Sequence, residues 1–375
     1  IEEKIVIKKK QLKYEKSKAR SLNLLTKLFE ERVNRTKESI AKPIENKVSD
    51  MFAYVRGTEN QKVSFFRKWW ISIRPFSLPA STMPVIFGTV LAVVYGEANL
   101  NIWYFLMAIT GMVILHGASN IISDIHDFKR GLDKEPTPVS GGVVRKIISL
   151  KEAKRASIIL FAVGAAIGIV LSWLVGYWLL AIGVAGLLIG MFYTTGTRIS
   201  LKYNALGDLA VFMDFGILGA LGAWYVQAGA LSWIPVVWSI PMATLVIAIL
   251  HANNWRDIKS DKSCNIITIA SLLGDKKSLR YYGFLIYGPF VMVLGLILVP
   301  HLLIPDVTAM PYTFLITLLA LPIAFNLWKK ALKRYNPEKP MDFVALDGAT
   351  AKLNLTFGIL CSAALILEIT INYIL

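Results

Sequence analysis

The stretch ASIILFAVGAAIGIVLSWL, residues 156–174, runs for nineteen residues without a charged side chain. A helix of about 20 apolar residues has the length that crosses the hydrocarbon core of a bilayer. Eight further apolar stretches of comparable length lie at about 80–96, 101–122, 178–195, 205–227, 231–252, 281–300, 309–327 and 350–372. The sequence therefore predicts an all-α, multi-pass membrane protein with about nine transmembrane helices.

The formal net charge of +16 could indicate a nucleic-acid-binding protein, but the placement of the charge follows a membrane instead. Nineteen of the 41 Lys and Arg residues lie in 1–74, and the others fall on the same side if the helices alternate. The connections on the opposite side contain none; these are 97–100, 175–177, 228–230 and 301–308. This is the positive-inside pattern, so we expect an inside N-terminus, an outside C-terminus and no nucleic-acid partner.

Residues 1–65 form a polar, Lys-rich extension that precedes the membrane domain, 66–375. Leu22, Leu25 and Leu28 fall near helical spacing, which favours an amphipathic surface helix; a solvated basic tail is the alternative. The start at Ile1 rather than Met leads us to expect a partial or processed chain. A docking arm for a partner in a larger membrane complex is a further reading of residues 1–65.

A weak internal repeat divides the membrane domain. ILHGASNIISDIHD, residues 114–127, is similar to ILHANNWRDIKSD, residues 249–261, once a gap of two residues is allowed. Each copy lies at the inside end of an even-numbered predicted helix, the second and the sixth. The repeat therefore predicts two four-helix halves and a ninth helix, with one acidic cluster from each half on the same side of the membrane.

The first acidic cluster combines carboxylates with an amide. Asp124 and Asp127 are three residues apart and share a helix face, and Asn120 lies one turn earlier. Asp133 follows after Gly131, which can turn the chain. Carboxylates close to a bilayer are costly and therefore mark a functional site by default.

The second cluster repeats this arrangement. Asp257 and Asp261 are four residues apart, with Asn253 and Asn254 one turn before Asp257. Solvated loop charges are the alternative reading of a single cluster, but two similar clusters at matching topological positions disfavour it.

Both clusters offer only oxygen ligands, which favours magnesium over zinc. Magnesium usually takes one or two carboxylates and completes its shell with water and substrate phosphate, so two facing clusters predict ions around a diphosphate. Basic side chains near the clusters could contact phosphate oxygens; these are Lys129, Arg130, Arg145, Lys146, Arg256 and Lys262. A neutralised diphosphate is a good leaving group, and an apolar bundle excludes water from an allylic cation.

These motifs resemble those of the UbiA superfamily of intramembrane aromatic prenyltransferases, over about residues 70–375. The first signature, Asn-Asp-x-x-Asp, is present here with Ser123 in place of Asn, and the second, NNxRDxxxD, is intact at residues 253–261. Further stretches resemble the 1,4-dihydroxy-2-naphthoate polyprenyltransferase branch, which usually has Gly where this chain has Asn265. These are RPFSLPAS (74–81), VSGG (139–142), FYTTG (192–196), KYNALGD (202–208), IITIASLLG (266–274) and TAKLNLTFG (350–358).

The resemblance implies a UbiA-type bundle that transfers a polyprenyl group from a prenyl diphosphate to 1,4-dihydroxy-2-naphthoate, with Mg²⁺, in menaquinone-type quinone biosynthesis. It implies that Mg²⁺ and the diphosphate bind at Asp124, Asp127, Asp257 and Asp261, with Asp133 as a fifth candidate. The side chains implied to contact diphosphate or organise the site are Asn120, Ser123, Lys202, Asn253, Asn254 and Arg256. Tyr193 and Asp208 would line the reaction chamber.

Other readings stay open at this point. Within the superfamily, the acceptor could be a hydroxybenzoate, homogentisate, a porphyrin or a chlorin. An accessory subunit of a membrane complex is a reading from another class, and a transporter is a weaker one because mid-membrane helix interruptions are not evident. We expect a mitochondrial inner membrane with the site facing the matrix, or a bacterial cytoplasmic membrane with the site facing the cytoplasm. Asp214, deep in the predicted fifth helix, is assigned no role.

Overall fold

The computed structural model describes residues 63–132, 140–194, 200–303, 307–335, 343 and 345–374. The amphipathic helix and the docking arm predicted within residues 1–65 lie outside the described residues, as does the predicted ligand Asp133. The described part is built from helices: its one β-type pairing is an isolated parallel bridge between Asn204 and Ile267. That bridge joins two connections between helices, the one before Gly207 and the one before Ile269.

Twelve α-helices organise the described residues, together with short 3-10 segments that include Pro75–Ser77 and Tyr312–Ala320. They are α1 (Phe65–Ile73), α2 (Pro79–Tyr95), α3 (Ile102–Arg130), α4 (Leu150–Val175), α5 (Tyr177–Thr194), α6 (Gly207–Ala228), α7 (Ile234–Trp238), α8 (Ile240–Arg256), α9 (Ile258–Ser263), α10 (Ile269–Leu303), α11 (Leu321–Leu332) and α12 (Leu346–Ile374).

Eight helical segments of the described chain are long and apolar enough to cross a membrane, which confirms the all-α membrane bundle. They are Pro75–Tyr95, Ile102–Arg130, Leu150–Val175, Tyr177–Thr194, Gly207–Ala228, Ile269–Pro300, Tyr312–Leu332 and Leu346–Tyr373. The remaining predicted span, 231–252, is divided at Ser239 into α7 and α8, each of which has a proline in its first turn. The 17 residues of α8 rise about 25 Å, close to the thickness of the bilayer core.

Two groups of helices in the bundle differ in how far their apolar side chains are buried. α2, α8, α10 and α12 enclose a continuous hydrophobic core around Phe87, Trp255 and Phe357, each of which is fully buried. α4 and α5 instead leave most of their apolar side chains exposed, including Trp173 and Leu180. An apolar helix surface of this kind suits contact with lipid, because a bilayer removes the need to bury it inside the protein.

α3 owes its ends to its capping residues. The Asn101 side chain accepts hydrogen bonds from the backbone N–H groups of Trp103 and Tyr104, and Gly131 ends the helix in the left-handed region at a φ of 68°. Between these caps the helix carries Asp124 and Asp127 of the first acidic cluster near its C-terminal end. The loop that follows leads into α4, which begins at a capping box formed by Ser149 and Glu152.

α6 is interrupted by a π-helical segment, Phe212–Leu218, which contains Asp214. π-helical turns are rare and are found frequently at functional sites. The segment packs against α8 and α5, so it forms part of the wall of the bundle interior.

Candidate active site

The C-terminal ends of α3 and α8 face each other across a cavity of about 60 Å³, which we call the polar cavity. Both acidic clusters contribute to its wall, through Asp127 from the first and through Asp257 and Asp261 from the second. Three cations join them. The complete lining is Arg74, Asp127, Leu132, Ser140, Lys202, Asn253, Asn254, Arg256, Asp257, Ser260, Asp261, Ile266 and Thr268.

The Asp127 carboxylate of the polar cavity accepts hydrogen bonds from three side chains, Lys202, Tyr203 and Ser123. The Lys202 ammonium donates to both of its oxygens, at 2.7 and 2.8 Å, and the Tyr203 hydroxyl donates at 3.3 Å. Ser123 accepts from Lys202 at 3.0 Å and donates to Asp127 at 3.4 Å, so it bridges the pair. Burial disfavours the charged form of Lys202, but attraction to Asp127 outweighs it and holds the pKa of Lys202 above its ordinary value.

Asp124 does not line the polar cavity and instead contacts the loop after α3. Its carboxylate accepts a hydrogen bond from the Val143 N–H at 2.7 Å and forms an ion pair with Arg74 at 3.2 Å, and the Asp124 side chain is 1% exposed. The loop can approach so closely because residue 141 is glycine: a Cβ there would overlap the Asp124 carboxyl group. The VSGG stretch therefore fits the backbone around the first acidic cluster.

The second cluster is organised by Arg256. Its guanidinium donates two hydrogen bonds to Asp257, at 3.0 and 2.9 Å, and one to Asp347 at 2.9 Å. Asn253 also donates to Asp347, at 3.3 Å. Asp261 is buried on the cavity wall, whereas Asp257 is 30% exposed. The last helix, α12, thus holds the second cluster through a single carboxylate in its first turn.

Several predicted cations lie away from the polar cavity. Lys129 and Lys262 are exposed, and so is Lys146. Arg130 places its guanidinium 3.8 Å from the centre of the Tyr203 ring, and Arg145 is buried in the loop after α3. None of these five side chains is among the residues that line the polar cavity.

A second cavity of about 150 Å³, the mixed cavity, continues from the polar one and shares Arg74, Lys202 and Asn253 with it. Tyr193 lines its side wall. Asn120 also lines it, and its amide donates to the Ile73 carbonyl at 2.8 Å and to Ser77 at 3.0 Å. These bonds tie α3 to the segment that carries Arg74. Asp208 does not line either cavity; it accepts a hydrogen bond from the Tyr281 hydroxyl at 3.1 Å.

A third cavity, the apolar cavity, has a volume of about 310 Å³ and lies among α3, α4, α5 and α6. It shares His116, Ser119, Asp214 and Phe215 with the mixed cavity. The three cavities therefore run from a charged end at the C-terminal ends of α3 and α8 to an apolar end within the bundle.

The carboxylates of the polar cavity suit a magnesium ion that is also bound by a phosphate group, rather than a metal ion ligated by protein side chains alone. Among the described residues, no group of three or more His, Cys, Asp and Glu side chains is arranged to hold a metal ion. Magnesium needs only one or two carboxylates when a phosphate supplies further oxygens. The donor set of Asp127, Asp257 and Asp261 matches that requirement.

Two site residues, Arg74 and Asp347, were not expected from the sequence. Arg74 opens the RPFSLPAS stretch, whose position before the first span gave a signal for an inside location. Asp347 precedes the last apolar stretch on the same side. Their partners, Asp124 and Arg256, lie 50 and 91 residues away along the chain, so only the fold reveals the pairings.

Comparison with known proteins identifies the family. The UbiA prenyltransferase family matches residues 81–355. UbiA prenyltransferase domain-containing protein 1 of Xenopus tropicalis is 32% identical over 294 residues, covering 77% of this chain and 79% of the relative. The 1,4-dihydroxy-2-naphthoate octaprenyltransferase of Bacillus subtilis is 30% identical over 312 residues, covering 83% and 96%.

The fold is also shared with a solved structure. A UbiA homolog from Archaeoglobus fulgidus, determined bound to DMAPP and Mg²⁺, superposes with a TM-score of 0.52 at 15% identity and covers 79% of this chain and 99% of its own. The matched residues, 81–355, contain both acidic clusters and the helices that carry them. The chain therefore belongs to the UbiA prenyltransferase family and is an integral membrane prenyltransferase.

Proposed function

We propose that the chain transfers a polyprenyl group to 1,4-dihydroxy-2-naphthoate, with magnesium, as a step of menaquinone-type quinone biosynthesis. The observation that carries this proposal is the polar cavity, where carboxylates and cations from both halves of the chain meet and from which a mixed cavity leads into the bundle. Such a site combines a pocket for an anionic leaving group with a chamber sheltered from water.

Binding of the diphosphate would begin with an exchange of partners. Lys202 and Arg256 are each paired with a carboxylate of the polar cavity. Magnesium, when bound with the diphosphate at Asp127, Asp257 and Asp261, supplies the charge that neutralises the leaving group. Lys202 and Arg256 would then turn to phosphate oxygens, for which a guanidinium and an ammonium are both suited. Asn253 and Asn254 would complete the hydrogen bonding.

The transfer step breaks the bond between the prenyl C1 and the diphosphate oxygen, and the electron pair leaves with the diphosphate. A carbon of the electron-rich acceptor ring forms a bond to C1. The ring becomes aromatic again by losing the substituent of the attacked carbon, which for the naphthoate is the carboxylate as carbon dioxide. Tyr193 and Phe76, on the wall of the mixed cavity, would exclude water while the allylic carbon is positively charged.

The apolar cavity would receive the prenyl chain. It is lined by aliphatic and glycine residues of α3 to α6, and α4 and α5 expose apolar side chains on their outer faces. A chain longer than the cavity could therefore continue into lipid without entering water. The name of the Bacillus subtilis relative supports 1,4-dihydroxy-2-naphthoate as acceptor, and the Archaeoglobus structure with DMAPP and Mg²⁺ supports the donor and the metal.

The charge map also supports an orientation. The polar cavity lies at the end of the bundle that carries the Lys- and Arg-rich connections, so the site would face the mitochondrial matrix or the bacterial cytoplasm.

The test uses full-length protein in lipid nanodiscs with labelled geranylgeranyl diphosphate. Candidate acceptors are 1,4-dihydroxy-2-naphthoate labelled in its carboxyl group, 4-hydroxybenzoate and homogentisate. We expect magnesium-dependent prenylation of the naphthoate with release of labelled carbon dioxide, and loss of both on chelation. Efficient transfer to another acceptor with none to the naphthoate would overturn the assignment.

A further inference from the structure

Asp214 is an acidic side chain within the membrane-spanning part of α6. It lies seven residues beyond Gly207, so it is about 10 Å from the inside end of the helix. A carboxyl group at this depth is costly, and such groups usually serve a substrate or ion. The π-helical segment Phe212–Leu218 places it on the wall shared by the mixed and apolar cavities.

The space around this carboxyl group is kept open by a glycine. On α5, a Cβ added to Gly186 would lie 2.8 Å from the Asp214 Oδ1 atom, closer than carbon and oxygen normally approach. Within the described part of the chain, no group donates a hydrogen bond to Asp214. Its two oxygens are therefore available to a molecule in the cavity.

The neighbouring polar groups are already engaged. His116 is hydrogen-bonded through both ring nitrogens, to Ser81 at 2.7 Å and to Ser77 at 3.2 Å. Its ring stacks on Phe215 with 4.6 Å between centres, so it supports the residue next to Asp214. Asp347, the other acidic residue on the mixed cavity, is paired with Arg256.

We infer that Asp214 binds a ring hydroxyl of the aromatic acceptor and thereby selects dihydroxylated acceptors; this inference rests on the proposed function. An acceptor in the mixed cavity has the diphosphate at one end and Asp214 at the other, so a hydroxyl that points away from the reacting carbon reaches the carboxyl group. The hydroxyl donates and Asp214 accepts. This bond also increases the electron density of the ring, which is the nucleophile of the transfer.

A prenyl chain that covered Asp214 would not satisfy it, so the chain would occupy the part of the apolar cavity away from this carboxyl group. An isoprenoid has no hydrogen-bond donor, so the carboxyl group would lose its contact with water and gain nothing in exchange. A polar group left unpaired in this way strongly penalises the ligand that buries it. The chemistry of Asp214 therefore matches the acceptor rather than the tail of the donor.

The test measures dissociation constants with full-length protein in nanodiscs that is saturated with a non-reactive prenyl thiodiphosphate and magnesium. The ligands are 1,4-dihydroxy-2-naphthoate, 1-hydroxy-2-naphthoate and 4-hydroxy-2-naphthoate, each by competition with labelled dihydroxynaphthoate. In the wild type we expect removal of the hydroxyl that Asp214 binds to weaken binding about 10- to 100-fold, because a buried polar group is then left unsatisfied. Binding constants avoid the differences in ring reactivity among the three ligands.

The variants are Asp214→Leu, Asp214→Asn and Gly186→Ala, and the matched control is Met213→Leu, in the same π-helical segment and outside the lining of the cavities. The affinity ratio is the affinity for 1,4-dihydroxy-2-naphthoate divided by that for the weaker-binding monohydroxynaphthoate. We expect Asp214→Leu to bring this ratio close to one and Asp214→Asn to keep part of it. Gly186→Ala should reduce the ratio by displacing the carboxyl group. Met213→Leu should keep the wild-type ratio.

Two readouts separate this role from a structural one. The affinity for the prenyl thiodiphosphate should be unchanged in Met213→Leu, and in Asp214→Leu and Asp214→Asn it should change much less than the affinity for dihydroxynaphthoate. Asp214→Leu should unfold at the same temperature as the wild type or a higher one, because it removes from the bilayer interior a carboxyl group to which no described residue donates a hydrogen bond. A wild-type affinity ratio in Asp214→Leu would overturn the inference alone, whereas a wild type that binds no hydroxylated aromatic acid would overturn the proposed function with it.

Discussion

The two acidic clusters are similar in sequence but are held in different ways. Asp124 is 1% exposed and is paired with Arg74, from the segment before the first span, and Asp127 is paired with Lys202, from the connection before α6. Asp257 is 30% exposed and is paired with its neighbour Arg256. The first cluster depends on distant parts of the chain, whereas the second is organised locally and anchored at one further point, Asp347.

This difference indicates that the two clusters have different roles in binding magnesium and diphosphate. Buried carboxylates with distant partners require the whole bundle to be assembled before they take their positions. A carboxylate that is 30% exposed can change partner at a lower cost than a fully buried one, because solvent partly screens its charge. We therefore expect magnesium and diphosphate to meet the second cluster first, and the first cluster to provide the rigid side of the site.

Substitution of Asp127 should have the largest effect on activity, and it tests whether the first cluster is the rigid side of the site. Asp127→Asn leaves Lys202 without its carboxylate, so we expect kcat/KM for prenyl transfer to fall about 1000-fold. Thermal stability should fall as well, because one charge of a buried pair remains, and the double variant with Lys202→Met should recover part of it. Transfer kinetics and melting curves check this. Full activity of Asp127→Asn would contradict the role of the first cluster.

Gly141→Ala tests the same side without removing a functional group. The added Cβ would overlap the Asp124 carboxyl group, so the loop or the carboxylate must shift. A displacement of about 1 Å near a catalytic site can lower the rate about 100-fold, and we expect a loss of that order in kcat/KM. Gly295→Ala, where a Cβ meets no atom within 4 Å, is the control and should behave as wild type. Equal activity of the two variants would show that the loop does not position Asp124.

Asp347→Asn probes the anchor of the second cluster. The change removes the charge that holds one side of Arg256 and keeps a hydrogen-bond acceptor, so we expect KM for the prenyl diphosphate to rise about tenfold with a smaller change in kcat. Steady-state kinetics with varied donor concentration measure both constants. A larger fall in kcat than rise in KM would place Asp347 at the transfer step instead of the binding step.

Lys129→Ala and Lys262→Ala should have the smallest effects. Both side chains are exposed and neither lines the polar cavity, so we expect changes of no more than about twofold in kcat/KM. The same kinetic assay applies. A tenfold loss in either variant would mean that cations outside the cavity take part in diphosphate binding, and would extend the site beyond the two clusters.

The sequence predicts the bundle well because apolar length and basic connections follow directly from the bilayer. It also predicts that the clusters lie on the same side, and in the structure Asp127, Asp257 and Asp261 line one cavity. Other features depend on packing between distant segments. The pairings of Arg74 and Asp347 cross 50 and 91 residues.

Local geometry limits the prediction in the same way. The division of the span 231–252 at Ser239 and the π-helical turn around Asp214 are settled by helix packing, which composition does not reveal. Asp208 shows the same limit, because its bond to Tyr281 joins two helices. Asn265 has a φ of 54°, in the left-handed region that glycine adopts freely and Asn tolerates better than most other residues. This backbone conformation explains why Asn can stand where the related branch usually has Gly.

The most direct test of a single diphosphate site is a double-mutant cycle on the binding of a prenyl thiodiphosphate. Magnesium-dependent affinity would be measured for the wild type, Asp127→Asn, Asp257→Asn and the double variant. If both clusters hold one diphosphate, each single variant should lose about 100-fold in affinity and the double variant little more, because groups that act as a unit are not additive. Additive losses, or wild-type affinity in either single variant, would contradict the account.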